Sequence, residues 1–289
     1  MKLVSLIFIG LLSALGAGAT VSVLSAKDGV SPTSKESLYE RITSTGTIRC
    51  GYTSWKPVFF IDPVTGEKKG IFHDLIEEAG KRLNLKIVWQ EEVGWGSIIE
   101  SIRSGRVDMV CGGYWLNTPR LRNLSATAPQ LYTPLYVYGR QDETRSFKSL
   151  NDLNSDQLTV ATIDGSGEAE IVAKRFAKTK RFTLTELNTE ADEIQALLTN
   201  KVDFIVLDVA SANVYMAANP GKIRSLLPDE PTVVFPNVML MPQHEHQLKE
   251  VMDNILRNIE YDGTLDDTLA RYGVGKSFLR NARPIVSSL

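Results

Sequence analysis

Two positions and one glycine turn carry the polar chemistry of this 289-residue chain. Arg120 follows a strand-like run ending at Gly112-Gly113 and the segment Tyr114 to Pro119; its planar fork of N–H donors suits a carboxylate gripped through two parallel bonds. Gly165-Ser166-Gly167 stands directly after a second strand-like run, where a helix is expected to open near Glu168. Amides at such a helix start are unpaired and lie at the positive end of its dipole, so they receive an anion. Asp208 closes the apolar run Phe204 to Leu207; a carboxylate there is costly to bury unpaired, and either a ligand ammonium or a protein cation would satisfy it. Trp55 and Trp95 sit in segments where an aromatic face can wall a cleft, with core packing as the rival reading. Together these groups describe a pocket for a small zwitterion, which an α-amino acid fits.

Other chemistries lack parts. The glycines at 165 and 167 have no third partner for a dinucleotide fingerprint, and no G-K-[S/T] completes a phosphate loop. Only His73, His244 and His246 are available as histidines, without an H-E-x-x-H or G-x-S-x-G frame. His244-Glu245-His246 reads as a solvated turn, so no metal and no cofactor is expected. A formal net charge of −2 offers no footprint for nucleic acid.

The elements that must position these residues follow a βαβ order. Strand-like Thr47 to Tyr52, Leu85 to Gln90 and Val107 to Gly112 alternate with a helix carrying Leu75, Ile76, Ala79 and Leu83 on one face. The plan restarts with Leu158 to Ile163, a helix near 168–177, Arg181 to Leu187 and a helix at 191–198. Ile99-Glu-Ser-Ile-Arg-Ser-Gly-Arg-Val-Asp-Met-Val110 resembles Ile194-Gln-Ala-Leu-Leu-Thr-Asn-Lys-Val-Asp-Phe-Ile205, which implies two equivalent halves. That register pairs Gly113 with Asp208 at the carboxyl ends of their strands, where open α/β sheets bind ligands. The extended runs Leu135 to Arg140 and Val233 to Pro242 suggest two hinge strands, about which a cleft opens and closes. A final helix carries Leu248, Val251, Met252, Ile255 and Ile259.

The amino terminus has its own logic. Lys2 is followed by an apolar run from Leu3 to Leu24 with no charge before Lys27. Such a segment is either a cleaved signal, with Ala17-Gly18-Ala19 as a small-residue site, or an uncleaved helix of the ~20 residues that span a bilayer. Both place the body outside the cytoplasm, periplasmic or extracellular, and touching a membrane only if the segment is kept. Thr33-Ser34-Lys35-Glu36 has the form of a capping box and is expected to open a lead-in helix reaching about Ile42.

In order and spacing, TGTIRCGYTSWKPVF, GIFHDLIEEAGKRLNLKI, VGWGSIIESIRSGRVDMVCGG, DFIVLD and YDGTLDDTLARYG resemble the extracellular solute-binding proteins of family 3, the amino-acid receptors of ABC importers. The resemblance spans roughly Ser34 to Gly273. It implies an α/β fold of two βαβ lobes joined by two hinge strands, type II periplasmic-binding-protein-like, preceded by an amino-terminal hydrophobic helix. By the family pattern, counting from Asp108 makes Arg120 the carboxylate anchor, Asp208 the ammonium acceptor and Gly165-Ser166-Gly167 the helix-start anion site. Two departures stand out. Trp115 falls where a small hydroxyl residue touches ligand, and Glu168 stands where a neutral polar residue is common, which weakens the anion pole or favours a cationic ligand group.

The implied division is a signal or anchor at 1–26, a lead-in at 27–46, lobe 1 at 47–136 and a hinge at 137–142. Lobe 2 follows at 143–232, a second hinge at 233–242, and carboxyl-terminal helices at 243–289 that return to lobe 1. The resemblance also makes the strands of Cys50 and Cys111 neighbours; adjacent parallel strands suit a disulfide poorly, so two buried thiols are expected, with a bond left open by an oxidising compartment. The expected protein is a monomeric, non-catalytic receptor delivering its ligand to an ABC transporter membrane permease. The alternatives are a dehydratase-like enzyme using Glu168, or a ligand-sensing subunit.

Overall fold

The computed structural model describes residues 36–280. The apolar amino-terminal run and Thr33 to Lys35 lie outside them, as do the expectations that fall there. Among the described residues no helix is long and apolar enough to cross a membrane.

Among the described residues the first element is α1 (Leu38–Thr45), capped by Ser37 rather than opening at Thr33 to Glu36 as expected. The working S-x-x-E is Ser37 to Glu40, with Ser37 Oγ accepting from Glu40 N and the Glu40 carboxylate accepting from Ser37 N. The expected Thr33–Glu36 match has the same spacing but lies mostly outside the described residues, and the helix begins only at Leu38.

The first lobe is built from β1 (Thr47–Tyr52), the ribbon β2 (Phe60–Ile61) and β3 (Lys68–Lys69), α2 (Ile71–Leu83) and β4 (Lys86–Glu92). It continues through α3 (Ile98–Arg103), β5 (Met109–Tyr114), α4 (Thr118–Asn123) and β6 (Leu124–Ala126). β1 runs parallel to both β4 and β5, as βαβ connections require. α2 buries Ile71, Phe72, Leu75, Ile76 and Ala79 along one stripe, and α8 (His246–Tyr261) adds Leu248, Met252, Leu256 and Ile259 to the same core.

The long strand β7 (Leu131–Arg140) leads into the second lobe, which holds β8 (Thr159–Ile163), α5 (Gly167–Arg175), β9 (Lys180–Leu184), α6 (Glu190–Leu198) and β10 (Ile205–Asp208). α7 (Val209–Ala218), β11 (Ile223–Ser225) and the second long strand β12 (Val233–Pro242) follow; after α8 the described chain ends past α9 (Thr264–Arg271). The main sheet runs β10-β7-β12-β5-β1-β4, and β8 joins β10 through a parallel bridge from Val160 to Phe204. β7 and β12 are the connection between lobes: they pair antiparallel with each other, then β7 pairs β10 while β12 pairs β5. Cores separate accordingly, with Val137, Val160, Val172, Phe176, Phe204 and Val206 packed apart from the first-lobe cluster.

The internal repeat has a structural cause. Asp108 donates its N–H to Arg49 O at 2.8 Å and accepts from Arg49 N at 2.7 Å; Asp203 does the same with Thr159 O at 2.8 Å and Thr159 N at 2.7 Å. In each half the aspartate of the Val-Asp pair locks the helix-to-strand turn onto the neighbouring strand. A buried main-chain N–H needs an acceptor, and a short carboxylate at that position supplies it.

The cysteine expectation is corrected. Cys50 and Cys111 form a disulfide with Cα atoms 5.5 Å apart. In the β1–β5 register Cys50 stands opposite Met109, so Cys111 is its diagonal neighbour on the same face, and the diagonal brings the pair within disulfide reach.

Candidate functional site

Three loops of the first lobe and four elements of the second deliver side chains to one cavity of about 30 Å³, room for little more than a water molecule. From the first lobe come Trp55, Trp95 and Trp115; from the second come Ile163, Ser166, Gly167, Glu168, Glu190, Glu193, Val206, Leu207 and Asp208. The tryptophans meet edge to face, with ring centroids of Trp55 lying 6.1 Å from Trp95 and 4.9 Å from Trp115. Trp115 in turn stacks on Phe235 of β12 at 4.9 Å.

Arg120 sits beside this cavity, 2% exposed, because Asn117 caps α4 by accepting from Arg120 N and Pro119 fixes the first turn. Its guanidinium donates to three carbonyls: Nη1 to Trp115 O at 2.6 Å, and Nη2 to Trp95 O at 3.0 Å and Gly165 O at 3.2 Å. The last bond crosses between lobes. Burial without a facing carboxylate lowers its pKa to about 10, which leaves it charged at neutral pH.

Asp208 is 1% exposed and already has donors. As the cap of α7 its Oδ1 accepts from Ala210 N and Ser211 N at 2.9 Å, while Oδ2 accepts from the Trp55 indole N–H at 3.1 Å. These donors offset part of its cost of burial without a protein cation, the partner expected as the alternative to a ligand ammonium. Burial still raises its pKa, so a ligand ammonium at Oδ2 would be welcome there.

The glycine turn behaves differently from the expected anion pole. Ser166 caps α5 by accepting from Ala169 N, and its hydroxyl also donates to Glu168 Oε2 at 3.3 Å. Glu168, the second residue of the helix, thus sets a carboxyl at the very end that was expected to receive an anion. Gly165 has φ +73°, and a Cβ there would lie 2.5 Å from Gly96 N and Cα, so the main chains of the two lobes touch at this point. Further bonds cross the cleft: Ser97 Oγ to Glu186 Oε1 at 2.7 Å, Thr118 Oγ1 to Glu170 at 2.7 Å, and Ser211 Oγ to Lys56 O at 3.0 Å.

Of the expected residues, Trp55, Trp95, Trp115, Ser166, Gly167, Glu168 and Asp208 line the cavity, and Arg120 and Gly165 meet at its edge. Gly113 is elsewhere: a Cβ on it would strike the Phe72 ring at 2.6 Å, so it packs α2 against β5. Sequence reading missed Glu190 and Glu193. Their signal was present, since Glu193 shares the buried face of α6 with Ile194 and Leu197.

Glu168 and Glu193 are 5% and 2% exposed, and one oxygen of each, Oε1, has no hydrogen-bond partner among the described residues. Burial, with the neighbouring Glu190, pushes Glu168 up to about 8; burial and Asp208 push Glu190 up to about 8. Glu193 is raised well above the usual range by burial and by Glu168 and Glu190.

The model of the bacterial extracellular solute-binding proteins, family 3, matches residues 48–275. A probable histidine-binding protein of Campylobacter jejuni is 27% identical over 152 residues, 52% of this chain and 56% of that protein. The chain thus spans about half the length of this curated relative. An ancestral arginine-binding protein solved with arginine is 25% identical with a TM-score of 0.68, covering 79% of this chain and 98% of its own. An ancestral amino acid-binding protein, a precursor of cyclohexadienyl dehydratase, is 23% identical with a TM-score of 0.70 over 82% of this chain and 99% of its own. At that identity the second structure speaks for the fold alone.

Proposed function

This chain belongs to the bacterial extracellular solute-binding proteins, family 3, and on that premise we propose that it captures a free amino acid by cleft closure and delivers it to an ABC importer. The family places its members outside the cytoplasm. The observation that carries the reading is that Asp208 of the second lobe lines a cavity walled by Trp55, Trp95 and Trp115, while Arg120 of the first lobe donates to the main-chain oxygens of two of those tryptophans. Arg120 would turn from the Gly165 carbonyl to the ligand carboxylate, and Asp208 would take the α-ammonium. Histidine and arginine, the amino acids named for two of the relatives, are the first candidates.

The cavity of about 30 Å³ is too small for an amino acid, so the lobes must part and close again around one. We place the hinges at 137–142 and 233–242, where β7 and β12 change partners, with lobes at 47–136 and 143–232. The cross-cleft bonds then act as a latch that the ligand completes rather than creates. The receptor works as a monomer without turnover, and any membrane tether is the amino-terminal segment. Thermal-shift titration of the full chain with the common free amino acids tests this: stabilisation by at least one, recovered unchanged, supports a receptor. No stabilisation by any of them contradicts it, and conversion of a ligand would point to an eliminating enzyme using the protonated Glu168.

A further inference from the structure

Four carboxyl groups surround the cavity, and among the described residues no lysine, arginine or histidine forms an ion pair with them. Glu168 lies on α5, Glu190 and Glu193 on α6, and Asp208 at the end of β10. Asp208 is satisfied by main-chain and indole N–H groups, but Oε1 of Glu168 and Oε1 of Glu193 are buried and unpartnered. Other titratable groups near the cage are Asp192 on α6 and Tyr138 on β7, neither a cation at neutral pH. Arg120 on α4 is committed to carbonyls and faces no carboxylate. A buried acidic cage of this kind is costly whether its groups are ionised or neutral with empty lone pairs, and one positive charge placed among them removes that cost. Among the described residues no group of His, Cys, Asp and Glu side chains is arranged to hold a metal ion, and an organic cation is taken as the charge for this recess. The walls agree: Ile163, Val206 and Leu207 with three indoles offer apolar lining for methylenes and aromatic edges beside a cation.

We propose that the recess between Glu168 and Glu193 is a second cation subsite, which takes the distal ammonium or guanidinium of a ligand whose first ammonium goes to Asp208. This rests on the amino-acid reading only for which cleft is filled. The ligand class is a compound with two cationic centres on an aliphatic chain, either a basic amino acid or a diamine without a carboxylate. Entry of the second cation leaves Glu168 and Glu193 ionised, so the protons they hold in the empty cage depart with binding.

The test titrates the full chain by calorimetry with L-lysine, L-arginine, cadaverine and L-norleucine, the last keeping the α-amino acid but lacking the distal charge. Lysine or arginine is expected to bind roughly tenfold or more tighter than norleucine, the loss expected for one charge-assisted bond. Glu168→Gln and Glu193→Gln, checked for folding by circular dichroism, should each remove most of that difference. Cadaverine binding as tightly as lysine would keep the subsite and refute the carboxylate role of Arg120. Norleucine equal to both basic amino acids would overturn the subsite while the amino-acid reading stands. Binding of none of the three cationic probes would overturn the subsite outright. The wild-type comparison decides the matter even if a variant fails to fold.

Discussion

Arg120, carried by α4 in the first lobe, donates through Nη2 to the main-chain oxygen of Gly165 in the second lobe at 3.2 Å. On the proposed reading a carboxylate arriving between them takes that donor, so the proposed anchor of the ligand also fastens the empty cleft. Arg120→Ala is expected to weaken amino-acid binding by roughly 10- to 150-fold, the effect of losing a charge-assisted bond of about 1.5 to 3 kcal/mol. Calorimetry showing unchanged affinity would remove Arg120 from the site.

Asp208→Asn separates two jobs of one side chain. Asparagine caps a helix about as well as aspartate, so α7 should persist, although its Nδ2 replaces the oxygen that accepts from the Trp55 indole N–H and Tm should fall. Binding of ligands bearing an α-amine should fall, while analogues lacking it, such as the matching carboxylic acids, should be indifferent. Equal losses for both would refute the ammonium role.

Gly165→Ala should block closure. The added methyl meets Gly96 main chain at 2.5 Å, and φ +73° disfavours any L side chain. The separate cores on either side keep each lobe folded, so far-UV circular dichroism should be retained. The expected readout in small-angle scattering is a larger radius of gyration that ligand does not reduce. A variant that still contracts with ligand contradicts the contact as a closure point.

The acid cage makes stability depend on pH in a stated direction. Glu168 and Glu190 hold their protons up to about 8 when folded, against an ordinary carboxyl value of 4.5. Between these values the folded chain binds more protons than the unfolded one, so stability is full below the window and falls as pH rises through it. The empty chain should lose Tm from pH 5 to pH 8.5, and Glu168→Gln should flatten the slope. Asp62, Glu143 and Asp262, lowered to about 2, act below this window. A Tm that rises across it, with the variant parallel to wild type, would contradict the cage.

Much of this was legible because it depends on short-range pattern. Thr47 to Tyr52 and Val233 to Pro242 are strands with the expected bounds, since alternation and turn residues define them locally. The repeated Val-Asp was legible as a repeat, though its cause, an aspartate accepting from the neighbouring strand, needed the fold. The lead-in helix was expected to open at Thr33 to Glu36, and two S/T-x-x-E matches in one short stretch leave the sequence no local way to choose Ser37 to Glu40. Cys50 and Cys111 were missed as a bond because strand adjacency does not give the diagonal register. Glu190 and Glu193 escaped because an acid on a helix face reads as solvated until α5 and β10 are seen to close over it.

The most direct test of the central claim is an X-ray structure of the full chain with a bound basic amino acid. The account predicts the carboxylate on the Arg120 guanidinium in place of the Gly165 carbonyl, the α-ammonium at Asp208 Oδ2, and the distal cation between Glu168 and Glu193. A ligand bound away from the three tryptophans, or Arg120 still donating to Gly165 beside a filled cavity, would contradict it.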